Sequence, residues 1–75
     1  MPHVIVKLVP GKSEQNKTRL AEAIVKNVMD ILQYDEDAIS VSIEEVHPED
    51  WAEKVYQPDI VSHAEQLYKK PGYTM

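Results

Sequence analysis

The sequence predicts an α+β fold of the β-α-β type: two parallel strands joined by one long helix, with the sheet completed by a second subunit. Three observations carry this expectation. The chain opens on an apolar, alternating run through Leu8, continues in an apolar stripe at helical spacing from Leu20 to Leu32, and then alternates strictly from Ile39 to Glu44. A strand, a helix long enough to cross over and another strand leave parallel pairing with a right-handed crossover as the expected arrangement. Two strands alone make a poor sheet, and the polar Ser40 and Ser42 on one face of the second strand leave little to close a core, so a partner subunit is expected to finish it.

The elements follow in order. Met1-Pro2 precedes the first strand. An initiator methionine before proline is commonly trimmed, which predicts a mature chain that begins at Pro2 with a free secondary amine at the head of a rigid strand. The structural alternative is a proline tolerated at a strand start, where its missing N–H costs nothing. Val4, Val6 and Leu8 then fall on one side of the strand and His3, Ile5 and Lys7 on the other, so both faces are expected to be at least partly covered. Pro10-Gly11 ends the strand. Ser13 is the expected N-cap, its hydroxyl accepting from the first free N–H groups of a helix, with Glu14 near the positive helix end. Leu20, Ala21, Ile24, Val25, Val28, Ile31 and Leu32 form the apolar stripe, with Lys17, Glu22, Lys26 and Asp30 off it, and the helix is expected to end near Gln33 or Tyr34.

Asp35-Glu36-Asp37 reads as a solvated acidic loop. The second strand places Ile39, Val41 and Ile43 on one face and Ser40, Ser42 and Glu44 on the other. His47-Pro48-Glu49-Asp50 is a helix start, with proline in the first turn and two carboxylates near the positive end. Trp51, Val55 and Tyr56 share one side of that short helix. Pro58 is expected to interrupt it, and Asp59 to begin another whose apolar face carries Ile60, Val61, Ala64, Leu67 and Tyr68. Lys69 and Lys70 suit the last turn of that helix, Pro71-Gly72 stops it, and the tail Tyr73-Thr74-Met75 is expected to dock.

Composition sets the outer limits. The 75 residues are read as one domain, 1–75, near the lower size at which a single core holds a fold unaided. No cysteine offers a disulfide or thiolate site, which leaves oligomerisation as the staple. A net charge of −5 and a lone arginine, Arg19, argue against a nucleic-acid partner. No apolar run approaches the roughly 20 residues of a membrane span and no leader precedes the first strand, so a soluble, cytoplasmic protein without a membrane partner is expected. His3, His47 and His63 are too widely spaced for a recognisable metal pattern, and none is expected to bind one. Ser40 and Ser42 lack the glycine-rich elbow of a nucleophilic serine.

Taken together, a processed amino-terminal proline on the first strand, a Pro-Gly-Lys-Ser turn into a long amphipathic helix, a second parallel strand and a following aromatic residue resemble the 4-oxalocrotonate tautomerase family. The later segments, His47-Pro48-Glu49-Asp50-Trp51 and Lys69-Lys70-Pro71-Gly72-Tyr73-Thr74-Met75, look like its longer, dimeric PptA-type branch. The resemblance spans nearly the whole chain and implies the β-α-β tautomerase fold, a homodimer and an isomerase that needs no cofactor or metal.

It also implies roles for four residues. Pro2 matches the catalytic base, whose ring nitrogen removes a proton from carbon beside a carbonyl and returns it elsewhere on the conjugated system. Such an amine must be neutral, which desolvation and nearby positive charge favour. Trp51 falls where the family has an aromatic pocket wall. Lys12 falls where the family commonly has an arginine that binds substrate carboxylate; the cation is kept and the bidentate fork is lost. Ser40 falls where a second arginine polarises the carbonyl of dicarboxylate substrates, and a hydroxyl cannot balance an anion. The small-molecule substrate implied is therefore a keto or enol acid with an apolar or aromatic group. The rival expectation is a non-catalytic dimeric ligand-binding or interaction module in which Pro2 is structural.

Overall fold

A computed structural model describes residues 1–75, which form two compact units, Met1–Glu45 and Val46–Met75. In the first, strand β1 (His3–Leu8) leads to helix α1 (Glu14–Leu32), a 3-10 turn (Glu36–Ala38) and strand β2 (Ser40–Glu45). The strands pair in parallel, in register from His3 opposite Ser40 to Leu8 opposite Glu45. This is the expected β-α-β fold. β2 starts and ends one residue later than the alternation alone suggested, because pairing begins at the Ser40 N–H, which donates to the Pro2 carbonyl at 3.2 Å.

Helix α1 begins where its cap chemistry puts it. Ser13 is extended (φ −69°, ψ 155°), and its Oγ accepts from the Asn16 N–H at 3.0 Å. At the other end Gln33 adopts a left-handed conformation (φ 61°), its N–H returns to the Met29 carbonyl, and its side chain donates to the Asp30 carbonyl at 2.8 Å. A glutamine thus closes the helix where glycine is the commoner choice. The acidic stretch that follows is a 3-10 turn over Glu36–Ala38 rather than an irregular loop.

One face of the sheet takes the helix. Val41 and Ile43 line grooves shared with α1 residues, and register places Val4 and Val6 beside them. The other face carries His3, Ile5, Lys7, Ser40, Ser42 and Glu44. At least partial coverage of both faces was expected; within one chain Lys7 is half-buried and Ile5 is 53% exposed. Lys17, which the sequence places off the apolar stripe, has specific partners. Its ammonium joins Glu14 at 2.8 Å and Glu45 at 3.0 Å, tying the first turn of α1 to the end of β2. Those hydrogen bonds, to Glu14 first and then Glu45, raise the lysine pKa above its ordinary value. A raised lysine pKa means the lysine keeps its charge throughout the neutral range, and its side of the tie is lost as pH climbs through that elevated value.

The second unit differs most from the sequence reading. Helix α2 (Pro48–Trp51) does carry proline in its first turn, but Pro58 does not stop the helical path. The chain continues as a π-helix over Ala52–Val61, closing with Ser62 N–H to the Gln57 carbonyl at 3.0 Å, five residues back. The wider turn moves the carbonyl four residues back out of the way of the proline ring, so the clash that breaks an α-helix is relieved. Beyond Val61 no α-helix follows: a 3-10 turn covers Ala64–Gln66, Ile60, Val61, Ala64 and Leu67 line one groove, and Tyr68 is fully exposed rather than part of that apolar face. Val55, at 5% exposure, is the one buried residue of the chain. The tail does dock through Tyr73, whose ring lies 5.8 Å from that of Tyr56.

Replacing Ser13 with Ala is expected to destabilise the fold by about 1 kcal/mol. At fixed protein concentration that is a fall in Tm of roughly 4–8 °C, read by circular dichroism.

Candidate active site

Pro2 stands half-buried immediately before β1. Its carbonyl is held by the Ser40 N–H, and the Met1 α-ammonium donates to the Ala38 carbonyl at 2.8 Å. The amino terminus is thus fixed against the chain leading into β2 by two hydrogen bonds. While Met1 is attached, the proline nitrogen is part of an amide, its lone pair delocalised into the carbonyl and not available as a base.

Ser40 is brought to this end of the sheet by the register, directly opposite His3. Its Oγ lies 2.6 Å from His3 Nδ1, so the hydroxyl is engaged with an imidazole rather than free. Both residues are exposed. His3 was weighed in the sequence only as a metal ligand. The signal that would have found it was positional: His3 and Ser40 each lead a strand on the face away from the crossover helix, and parallel pairing sets such residues side by side. No cluster of metal-ligating side chains forms anywhere in the chain.

Lys12 is exposed in the turn between Gly11 (φ 128°) and the Ser13 cap. Within one chain it is remote from Pro2. The Lys17–Glu45 ion pair fixes the start of α1 at the Leu8 and Glu45 end of the sheet, and six residues of strand separate that end from Pro2 by about 20 Å. The structure therefore gathers Pro2, His3 and Ser40 at one end of the sheet and leaves Lys12 at the other.

Trp51 belongs to the second unit. Its Nε1–H donates to the Tyr73 hydroxyl at 3.0 Å, and Tyr73 in turn packs against Tyr56. An exposed groove of about 310 Å³ lies beside this aromatic set, with Ile60, Leu67 and Tyr73 in its lining. Tyr73 is a residue the sequence offered only as part of an apolar tail; nothing in its spacing marked it as the partner of Trp51.

Comparison with known proteins gives a consistent picture. Residues 2–55 match the model of a family described as tautomerase enzyme. A probable tautomerase of Xylella fastidiosa (strain 9a5c) is 45% identical over 73 residues, covering 97% of this chain and 89% of that one. Tautomerase PptA of Cronobacter sakazakii is 36% identical over 76 residues, covering all of both chains. Among solved structures, TomN, a 4-oxalocrotonate tautomerase homologue in the tomaymycin biosynthetic pathway, superposes with a TM-score of 0.65 at 34% identity, over 67% of this chain and 77% of that one. YwhB, another homologue, gives 0.60 at 33% identity over 61% and 75%.

Tyr73→Phe removes the hydroxyl from Trp51. Because the chain holds a single tryptophan, its fluorescence reports the change directly. A shifted emission maximum with an unchanged far-ultraviolet spectrum is expected, with a stability loss of about 0.5–1.5 kcal/mol in urea unfolding.

Proposed function

The chain belongs to the tautomerase family, and from that premise we propose a cofactor-independent keto–enol tautomerase in which Pro2 is the general acid and base. The observation that carries the reading is where the family match starts: at residue 2, on the proline, with Met1 left outside. Removal of Met1 converts an amide nitrogen into a secondary amine at the head of a strand already pinned through the Pro2 carbonyl. In the neutral form the amine takes a proton from carbon beside a carbonyl, leaving an enolate whose oxygen takes up a proton to give the enol; in the reverse direction the protonated amine returns its proton to carbon as the enol O–H proton is released. The reaction is an isomerisation, so no net proton, electron or co-reactant is consumed.

The remaining roles follow the chemistry of the side chains. Lys12 is assigned to the substrate carboxylate, Trp51 to an apolar wall that excludes water and so favours the neutral amine, and Ser40 to the substrate's carbonyl side, where it adds polarity without charge. One cation and one uncharged hydroxyl suit a keto or enol acid with a single carboxylate and an apolar or aromatic group, of the phenylenolpyruvate type. The reaction is assigned to the cytoplasm; no helix is long and apolar enough to cross a membrane.

The working unit is proposed to be a homodimer of single 1–75 domains. Its support is the apolar surface left uncovered on the first unit, where Ile5, Leu20, Ile31 and Leu32 are all exposed. A groove of about 490 Å³ between α1 and β2, floored by Ala21, Val25, Met29 and Val41, adds apolar surface that a second copy can cover. Since Lys12 lies about 20 Å from Pro2 in its own chain, a site that uses both takes Lys12 from the partner subunit.

Light scattering is expected to give twice 8.6 kDa. Protein trimmed to Pro2 should ketonise phenylenolpyruvate, followed as loss of ultraviolet absorbance, while protein shown by mass spectrometry to retain Met1 should not. Pro2→Ala is expected to lower kcat by about 10²–10⁴-fold; an unchanged rate would leave a non-catalytic binding module as the reading. Mixing inactive Pro2→Ala and Lys12→Ala subunits should restore roughly a quarter of wild-type activity, since half the dimers are mixed and each mixed dimer holds one intact shared site. No recovery would place both residues in one chain's site.

A further inference from the structure

Building on the tautomerase reading, we propose that His3 is the hydrogen-bond donor to the substrate's carbonyl oxygen and that Ser40 is the positioning residue that holds its imidazole in the donor form. The two side chains face each other as register partners on the sheet face away from α1, with Ser40 Oγ 2.6 Å from His3 Nδ1. That contact occupies one ring nitrogen and leaves Nε2 as the nitrogen that meets a ligand. When the serine hydroxyl donates to Nδ1, the neutral ring carries its proton on Nε2; when the ring is protonated, both nitrogens carry one. In both states Nε2–H is a donor. Only the tautomer in which Nδ1–H donates to the serine makes Nε2 an acceptor.

Position supports the role. In a 2-keto acid the carbon that gains or loses the proton is bonded to the carbonyl carbon, so the oxygen that becomes enolic lies two covalent bonds from the atom Pro2 attacks. A group that stabilises this oxygen must therefore sit within a few ångströms of the proline nitrogen. His3 is the next residue along the strand, its Cα about 3.8 Å from that of Pro2. Lys12 of the same chain is at the far end of the sheet, and the Ser40 hydroxyl is committed to the imidazole. His3 is exposed and so open to a ligand.

The chemistry also sharpens specificity. A hydrogen-bond donor stabilises an oxygen that gains partial charge as the enol forms, and it does so without the fixed positive charge that would recruit a second carboxylate. The Ser40–His3 pair thereby selects monocarboxylates, and Ser40 acts on the substrate through His3 rather than by direct contact.

The test uses the Pro2-terminated protein and phenylenolpyruvate. Replacing His3 with Ala is expected to lower kcat by about 10–100-fold with KM little changed, as for loss of a donor used in the transition state. His3→Gln, which keeps an N–H, should recover part of that loss. Ser40→Ala should lower kcat less and should shift the His3 ring nitrogens, followed by ¹⁵N resonance, from the Nε2–H tautomer to a mixture. Adding benzoylformate, an aromatic 2-keto acid with no proton to abstract, should move the Nε2 resonance of wild type.

Full kcat in His3→Ala beside an inactive Pro2→Ala overturns the histidine role while the proline mechanism stands. Wild type that does not ketonise the enol at all overturns the tautomerase reading instead. The histidine is then judged by benzoylformate alone, and an unmoved Nε2 resonance overturns it.

Discussion

The parallel pairing of β1 and β2 is the constraint from which the rest of the first unit follows. Parallel strands need a connection that travels back along the sheet, and α1, about 28 Å long for its 19 residues, supplies it. The helix must then begin at the end where β1 finishes and end where β2 starts. Lys17 marks that arrangement by reaching from the first helical turn to Glu45. Everything on the turn before the helix, Lys12 included, is thereby sent to one end of the sheet, and everything that opens a strand, Pro2, His3 and Ser40, is gathered at the other.

Much of this was legible because it depends on local rules. Strict alternation declared β2, the Ser13 hydroxyl declared the start of α1, and the order of elements declared the parallel crossover. What stayed hidden depended on long-range geometry or on a rarely used helical register. The spacing places Lys17 off the apolar stripe but does not reveal that β2 brings Glu45 within 3.0 Å of it. Pro58 reads as a helix breaker because in an α-helix it would be one; the π register over Ala52–Val61 removes the reason. The stripe from Ile60 to Tyr68 assumed one continuous α-helix; Ile60, Val61, Ala64 and Leu67 do line one groove without it, while Tyr68 stands fully exposed. At the candidate site, Pro2 was legible as a group with unusual chemistry, whereas the pairing of His3 with Ser40 required register, which spacing alone does not reveal.

The same end of the sheet shows how little the fold leaves to chance around the proline. A secondary amine at a chain terminus is ordinarily mobile, and a mobile base cannot be aimed. Here the Pro2 carbonyl is the first acceptor of the sheet ladder, so the nitrogen two bonds away from it inherits the position of the strand. Under the proposed proline mechanism, rigid placement of this nitrogen would lower the entropic part of the barrier before any side chain contributes charge or polarity. The family likeness, which begins at residue 2, runs through this pinned end.

The hydrogen bond from the Met1 amine to the Ala38 carbonyl joins residues 37 positions apart. During synthesis the acceptor does not yet exist when the amine is made: at 5–20 residues per second, roughly 2–7 s separate the two. Neither Ser40 nor the rest of β2 is present in that interval, so the terminus is a loose, unpaired peptide for the whole of it. A processing enzyme working on the nascent chain meets an open end, and one arriving after folding meets a tethered one. The order of events on the ribosome thus bears on what fraction of molecules carries a basic nitrogen.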